Sequence, residues 1–206
     1  MFKRNFKTIK ESKEKIRICS YNILAPIVAN TSKHRTSCSA SCIKWSNRFK
    51  MIRVEIKNYN PDIICFQEVQ SNIFYQEMHS KMRQYGYFGL FVPQKDYRAK
   101  SRTKITSPNL NFGVATFFKP KKFYLLKYEV FDYHKAVADY LNKNNQSDFI
   151  KKSKKRFAGL ITYFQDRITN KKFYITNIHL EANPRMDDIK NLQGYILLEH
   201  LSKLIQ

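Results

Sequence analysis

The sequence predicts an α/β domain in which helices are layered over sheet. Three observations carry that expectation. Short apolar runs of strand length alternate with stretches whose apolar residues recur at helical spacing. The hydrophobic fraction is 43% over 206 residues, enough for one ordinary core and too much for a disordered chain. No internal repeat and no convincing linker divides the chain, so residues 16–206 are expected to form one unit behind a basic tail, residues 1–15.

Ile16–Tyr21 (IRICSY) has the apolar content of a strand and ends at Asn22. After the polar stretch Ala29–Lys44 the pattern turns helical from Ser46, with Phe49, Ile52, Ile56 and Tyr59 on one face and Asn60-Pro61 as the stop. Asp62–Phe66 (DIICF) is nearly all apolar, as a strand covered on both faces should be, and it runs into Gln67-Glu68. Ser71 is placed to cap the next helix, which turns Phe74, Met78, Met82 and Tyr85 inward and stops at Gly86. Tyr87–Val92 reads as a strand, residues 94–111 as a basic loop, Phe112–Phe118 and Phe123–Val130 as strands, and Val137–Ile150 as a helix with a polar insert. Phe157–Phe164 and Lys172–His179 read as paired strands, because Asp166–Lys171 has the length and polarity of a hairpin connection. The last element, Asp187–Ile205, is an amphipathic helix carrying Ile189, Leu192, Ile196, Leu197, Leu201 and Leu204, with Asp187 or Asp188 serving its N-terminus.

The formal net charge is +22, from 38 Lys and Arg against 16 Asp and Glu. A surface of that sign attracts polyanions. Lysine-rich codon usage spread over every exposed face would give the same total, so charge alone leaves nucleic acid open. Much of the excess lies in Lys95–Lys104, Lys119–Lys127 and Lys143–Arg156. Lys, Asn or Gln interrupts every apolar run, so no membrane span is expected. The tail lacks the apolar middle of a secretion signal, and Glu11 and Glu14 argue against organellar targeting. Of the four cysteines, Cys19 and Cys65 sit in strand-like runs, while Cys38 and Cys42 share a Ser-rich segment behind His34. A structural zinc would need a second paired motif, and none is visible. Reduced thiols of a cytoplasmic protein, or of a nuclear one, are the expectation.

Three polar residues share one kind of place. Asn22, Glu68 and His179 each stand where a predicted strand runs out, the region in which α/β proteins gather ligand groups on rigid supports. Glu68 is a hard oxygen ligand of the kind Mg²⁺ accepts beside waters and phosphate. Asn22 offers an amide oxygen to an ion or its waters and an NH₂ to a phosphate. His179 can donate to a phosphate oxygen in which charge develops. Singly, each is more often a satisfied cap or turn residue, and it is the order Asn, then Glu in a QE pair, then His in an NIHL run that chance rarely produces.

SYNILA (Ser20–Ala25), the Trp45–Arg48 segment, PDIICFQEV (Pro61–Val69), FGVATFFK (Phe112–Lys119) and TNIHLEANPRMDDIKNLQ (Thr176–Gln193) stand in this order. They resemble consecutive motifs of the endonuclease/exonuclease/phosphatase superfamily, in the branch of nocturnin-, Angel- and carbon-catabolite-repressor-type mRNA deadenylases. The resemblance covers nearly the whole chain after residue 15. It implies the N-terminal part of a two-sheet α/β sandwich (DNase I-like) and a hydrolase that is a metal-dependent phosphodiesterase and 3′-exoribonuclease. The ion would be Mg²⁺, with Mn²⁺ as the alternative. The implied partners are RNA, with its 3′ poly(A) tail, and proteins of a deadenylase complex, with no membrane. In this pattern Glu68 matches the metal ligand, Asn22 and His179 the catalytic residues, and Arg48, Asn111 and Phe112 fall on the substrate side.

The departures bear on activity. The family completes its site with a D-x-N motif, usually GDFN, and a C-terminal S-D-H motif, and after Asn183 the sequence has neither D-x-N nor D-H. Where the family has Asp-Gly-Cys, this sequence has Phe112-Gly113-Val114, and an expected Asn appears as Phe157. The resemblance therefore implies an exonuclease whose 206-residue chain is nearly inactive alone, with a C-terminal half or a partner needed to cover the sheet. The alternatives are a pseudoenzyme that binds RNA or protein, and a small-molecule phosphodiesterase or phosphatase of the same superfamily. Phe112 and Tyr97 are the aromatic candidates for stacking on bases.

Overall fold

The computed structural model describes residues 15–30, 39–94, 111–143, 158–181 and 183–205. Two sheets lie face to face. The first has the strand order β1-β2-β4-β3 and the second β5-β6-β7. β2 (Ile63–Gln70) is the centre of the first sheet, and Ile63, Ile64, Cys65 and Phe66 are buried on both of its faces. β1 (Ile18–Asn22) runs parallel to it. Parallel neighbours need a crossover, here built by the short turns α1 (Pro26–Ala29) and α2 (Ala40–Ile43) and the long α3 (Trp45–Tyr59). α3 buries Phe49, Ile52 and Ile56 and stops at Asn60, whose left-handed backbone (φ 46°) leads into Pro61.

The helical segment after β2 is continuous: α4 (Ser71–Ile73), a widened π turn (Phe74–Met78) and α5 (His79–Gln84). Phe74, Met78 and Met82 are buried as expected. Ser71 is not the cap. The helix begins at Ser71 itself with no side-chain cap bond, and the Ser71 N–H donates to the Asn111 carbonyl at 2.7 Å. Tyr85 is 38% exposed, because the helix ends at Gln84 and Tyr85 has already left the helical path. Gly86 takes the left-handed conformation (φ 84°) that its lack of a side chain allows. β3 (Phe88–Pro93) and β4 (Phe112–Phe118) follow, antiparallel to each other.

The second sheet is an antiparallel meander of β5 (Phe123–Asp132), β6 (Ala158–Asp166) and β7 (Lys172–Asn177). Its predicted hairpin is closed by Asp166, whose Oδ1 accepts from the N–H groups of Ile168 and Thr169 at 2.8 and 2.9 Å. α6 (Tyr133–Lys143) and α7 (Asp187–Ile205) pack through Val137, Leu141, Ile196 and Leu197 against this sheet. The rest of the expected Val137–Ile150 helix, and Phe157, lie outside the described residues. Between the sheets Ile63, Cys65, Phe118, Phe123 and Phe164 form an apolar layer. Burial pushes the Cys65 thiol up to about 12, so it is a neutral packing group. The result is a helix–sheet–sheet–helix sandwich.

One polar cluster crosses that interior. Asn177, 1% exposed at the end of β7, donates to the carbonyls of Phe66 and Ala115 at 3.1 and 3.0 Å and to Thr116 Oγ1 at 3.3 Å. Its Oδ1 accepts from Gln67 Nε2 at 2.9 Å. A buried amide with its groups satisfied fixes register in a way that apolar contacts cannot. This one sets the end of β7 beside the end of β2.

Candidate metal and phosphate site

The site is built on an irregularity in β2. Gln67 pairs with Val114 and Val69 with Gly113, so Glu68 is an extra residue in a bulge. Its φ is 57°, in the left-handed region that costs a non-glycine residue about 1–2 kcal/mol. A bulge re-aims one side chain without ending the strand. Opposite it, Gly113 has no room for a side chain, since a Cβ there would lie 1.9 Å from the Val92 carbonyl oxygen.

Two groups from the end of β1 hold the Glu68 carboxylate. Asn22 Nδ2 donates to Oε1 at 2.9 Å, and the Ala25 N–H donates to Oε2 at 3.2 Å. Between them the chain turns through Leu24, also left-handed (φ 54°), whose N–H donates to Asn22 Oδ1 at 3.0 Å. Two residues beyond β7, His179 Nε2 stands 3.9 Å from Glu68 Oε1. The His179 segment is held from behind. Gln193 on α7 accepts from the Glu181 N–H at 3.0 Å, and the buried Glu181 accepts from the Asn183 N–H at 3.0 Å.

Asn22, Glu68 and His179, expected from strand ends, are thus brought together. Asn111 and Phe112 lie on the neighbouring strand end, where Phe112 pairs with Gln70, two residues past Glu68. Arg48, expected on the substrate side, directs most of its guanidinium at backbone carbonyls. Its Nη1 donates to the carbonyls of Ile23 and Leu24 at 2.6 and 2.8 Å, and its Nε to the Ile43 carbonyl at 2.9 Å. The remaining Nη2 is shielded from solvent and meets no acceptor among the described residues. The guanidinium is therefore spent on backbone. Burial lowers its pKa, while Glu68 and Tyr21 pull the other way. Tyr97, His34 and Cys38 lie outside the described residues.

Sequence reasoning missed Asn177, Gln70 and the Ala25 N–H. Gln70 is 5% exposed, and its Oε1 accepts from the Ile27 N–H at 3.1 Å, tying the α1 turn to β2. The available signal was the unusual density of amides, Gln67, Gln70 and Asn177, inside otherwise apolar strands.

The donor set fits a hard divalent cation held mainly by water and substrate. Each Glu68 oxygen has one hydrogen-bond donor and keeps lone-pair capacity. Mg²⁺ commonly takes one or two carboxylates and fills the rest of its octahedron with waters and phosphate. Among the described residues no three His, Cys, Asp or Glu side chains cluster, so Glu68 is the one carboxylate of this donor set. Beside the site, a cleft of about 470 Å³ opens between β1 and α3, lined by Tyr21, Asn22, Leu24, Cys42, Arg48 and Met51.

No established family profile matches the chain. Individual proteins do. The CCR4-Not complex 3′-5′-exoribonuclease subunit Ccr4 of Candida albicans is 32% identical over 98% of this chain. The structure of ANGEL2, a 2′,3′-cyclic phosphatase, in complex with adenosine-2′,3′-vanadate superposes with a TM-score of 0.72 at 26% identity, over 96% of this chain and 52% of that one. The superfamily that these matches support is that of the endonucleases, exonucleases and phosphatases. In sequence the chain is similar to the Ccr4 and Angel proteins of that superfamily. The human Nocturnin catalytic domain shares the fold, with a TM-score of 0.68 at 22% identity over 92% of this chain and 58% of that one. The two-sheet α/β sandwich is thus the DNase I-like fold of this superfamily. The chain spans 25% of the length of the Candida relative.

Proposed function

We propose that this chain carries the cation- and phosphate-binding part of a deadenylase-type phosphodiesterase acting at RNA 3′ ends. The observation that carries this reading is the Glu68 carboxylate. It is lifted out of β2 by a left-handed bulge, held by two uncharged donors, and faced by His179 at 3.9 Å. Glu68 would hold Mg²⁺, or Mn²⁺ in its place, and Asn22 would fix the direction of the carboxylate. A cation held there would supply charge stabilisation for the reacting phosphate and its attacking water. His179 Nε2 donates to a non-bridging phosphate oxygen. The net charge of +22 draws the polyanion in, and Phe112 and Asn111 lie where the adjoining nucleotide would rest. RNA ending in poly(A), and proteins of a Ccr4-type complex, are the partners this reading assigns.

The 206-residue chain is expected to bind more readily than it cleaves, because no D-x-N or D-H follows Asn183 to supply a water-activating carboxylate. A second reading has its own support. ANGEL2, a cyclic phosphatase, superposes well, and Phe112 replaces the acidic residue implied by the family motif. Both are tested by incubating the chain with Mg²⁺ or Mn²⁺ and end-labelled oligo(A), bearing either a 3′-hydroxyl or a 2′,3′-cyclic phosphate. Binding with slow removal of 3′ nucleotides supports the first reading. Opening of the cyclic phosphate alone supports the second. Metal and RNA binding that Glu68→Gln leaves untouched would remove the basis of both.

A further inference from the structure

Arg48 reaches the site through two peptide planes. In a trans peptide the C=O and the following N–H point in opposite directions. Arg48 Nη1 takes the carbonyls of Ile23 and Leu24 at 2.6 and 2.8 Å. The N–H that shares a plane with the Ile23 carbonyl belongs to Leu24, and it donates to Asn22 Oδ1 at 3.0 Å. The N–H that shares a plane with the Leu24 carbonyl belongs to Ala25, and it donates to Glu68 Oε2 at 3.2 Å. Fixing the first plane occupies Asn22 Oδ1 and so turns the Asn22 NH₂ toward Glu68 Oε1. Fixing the second aims the Ala25 N–H directly.

We infer that Arg48 is the positioning residue of the Glu68 carboxylate: one guanidinium nitrogen sets both of its hydrogen-bond donors, through the left-handed turn at Leu24. This deepens the functional reading above and rests on Glu68 as the cation ligand. The guanidinium is itself held. It lies over the Trp45 ring at 5.3 Å. Trp45 stacks on Phe49 with centroids 5.1 Å apart at 12°. Trp45 Nε1 donates to Glu77 Oε2 at 2.8 Å, and Glu77 belongs to the π turn Phe74–Met78. A widened turn of this kind commonly marks a functional element. Here it places an acceptor where the indole needs one. Lysine cannot replace Arg48 in this role, because an ammonium on a flexible stem lacks the planar fork that spans Ile23, Leu24 and Ile43.

The test compares Arg48→Lys, Arg48→Ala, Trp45→Phe and Glu77→Gln with the parent chain by two readouts. The first is the Ala25 amide proton in metal-free protein, by NMR shift and hydrogen exchange. The second is Mn²⁺ affinity by electron paramagnetic resonance. Arg48→Lys, which keeps the charge, is expected to unprotect the Ala25 amide and weaken Mn²⁺ binding about tenfold. Trp45→Phe and Glu77→Gln are expected to weaken it about threefold. Parent-like Ala25 protection and affinity in Arg48→Lys would overturn the inference, since charge alone would then suffice. If both Arg48 variants fail to fold, the distant pair decides, and parent-like values in both overturn it. Should Glu68→Gln bind Mn²⁺ as the parent does, the cation reading fails. The Ala25 amide would still report on Arg48 separately.

Discussion

Strand β2 has a carboxylate at each end, and the two are treated in opposite ways. Asp62, just before the strand, is surrounded by donors. It accepts from the Arg17 N–H at 2.9 Å and from Lys122 Nζ at 2.7 Å, with Lys119 Nζ at 3.5 Å. Burial pushes its pKa up, but the Arg17 N–H and the two lysines outweigh that and hold it below the usual value. Glu68, six residues on, sits on a strained bulge, and its donors are an amide and a peptide N–H. Among the described residues no lysine or arginine forms an ion pair with it. In a chain with 38 lysines and arginines, a shielded carboxylate whose hydrogen-bond donors are uncharged stands out. Asp62 is satisfied by the protein and secures the entry to β2. Glu68 is oriented by the protein and left with unspent charge, as a cation site requires.

The largest expected effect would break this contrast outright. Glu68→Gln should weaken Mn²⁺ binding on the order of a hundredfold, since it removes the charged ligand while outer partners alone are worth tenfold or more. Its melting temperature should stay near that of the parent. Asp62→Asn should do the reverse, leaving Mn²⁺ affinity unchanged and costing about 2 kcal/mol in urea unfolding at neutral pH, because the donors around it lose their charged acceptor. Equal metal defects in the two variants would mean that both carboxylates are structural.

A pH series sharpens the difference. The Asp62 pKa is lowered on folding, so its stabilisation is complete above the ordinary aspartate value. It is lost as the pH falls through the folded-state value, where the native protein must take up a proton. The gap in stability between the parent and Asp62→Asn should therefore close as the pH drops below the ordinary aspartate range. A gap that persisted in acid would show that geometry, and not the charge of Asp62, supplies the stability.

The sequence carried much of this, for physical reasons that differ by residue. Asn22, Glu68 and His179 could be placed because each follows an apolar run, and hydrophobic burial fixes where such runs lie. The bulge at Glu68 could not, since it exists only in the register between β2 and β4, a pairing of residues about 45 positions apart. The backbone partners of Arg48 were out of reach for a similar reason. An arginine in the first turn of a helix is expected to meet solvent or ligand, and only the folded chain brings the Ile23 and Leu24 carbonyls to it. Tyr85 continued a helical period that the chain had already abandoned at Gln84.

The smallest effect bears on what the bulge costs. A left-handed backbone is unfavourable for any residue with a Cβ, and at φ 57° Glu68 bears that cost in a strand that could otherwise continue regularly. Glycine removes the strain but adds freedom to the unfolded chain, so the two terms partly cancel. Glu68→Gly should then be more stable than Glu68→Ala by about 1 kcal/mol in denaturant unfolding, with neither binding the cation. At Asp62, outside the bulge, the same pair of substitutions should rank the other way, because glycine there adds only unfolded-state entropy. If Glu68→Ala proved as stable as Glu68→Gly, the bulge would be unstrained, and the carboxylate's position would follow from strand packing instead of being maintained against a stability cost.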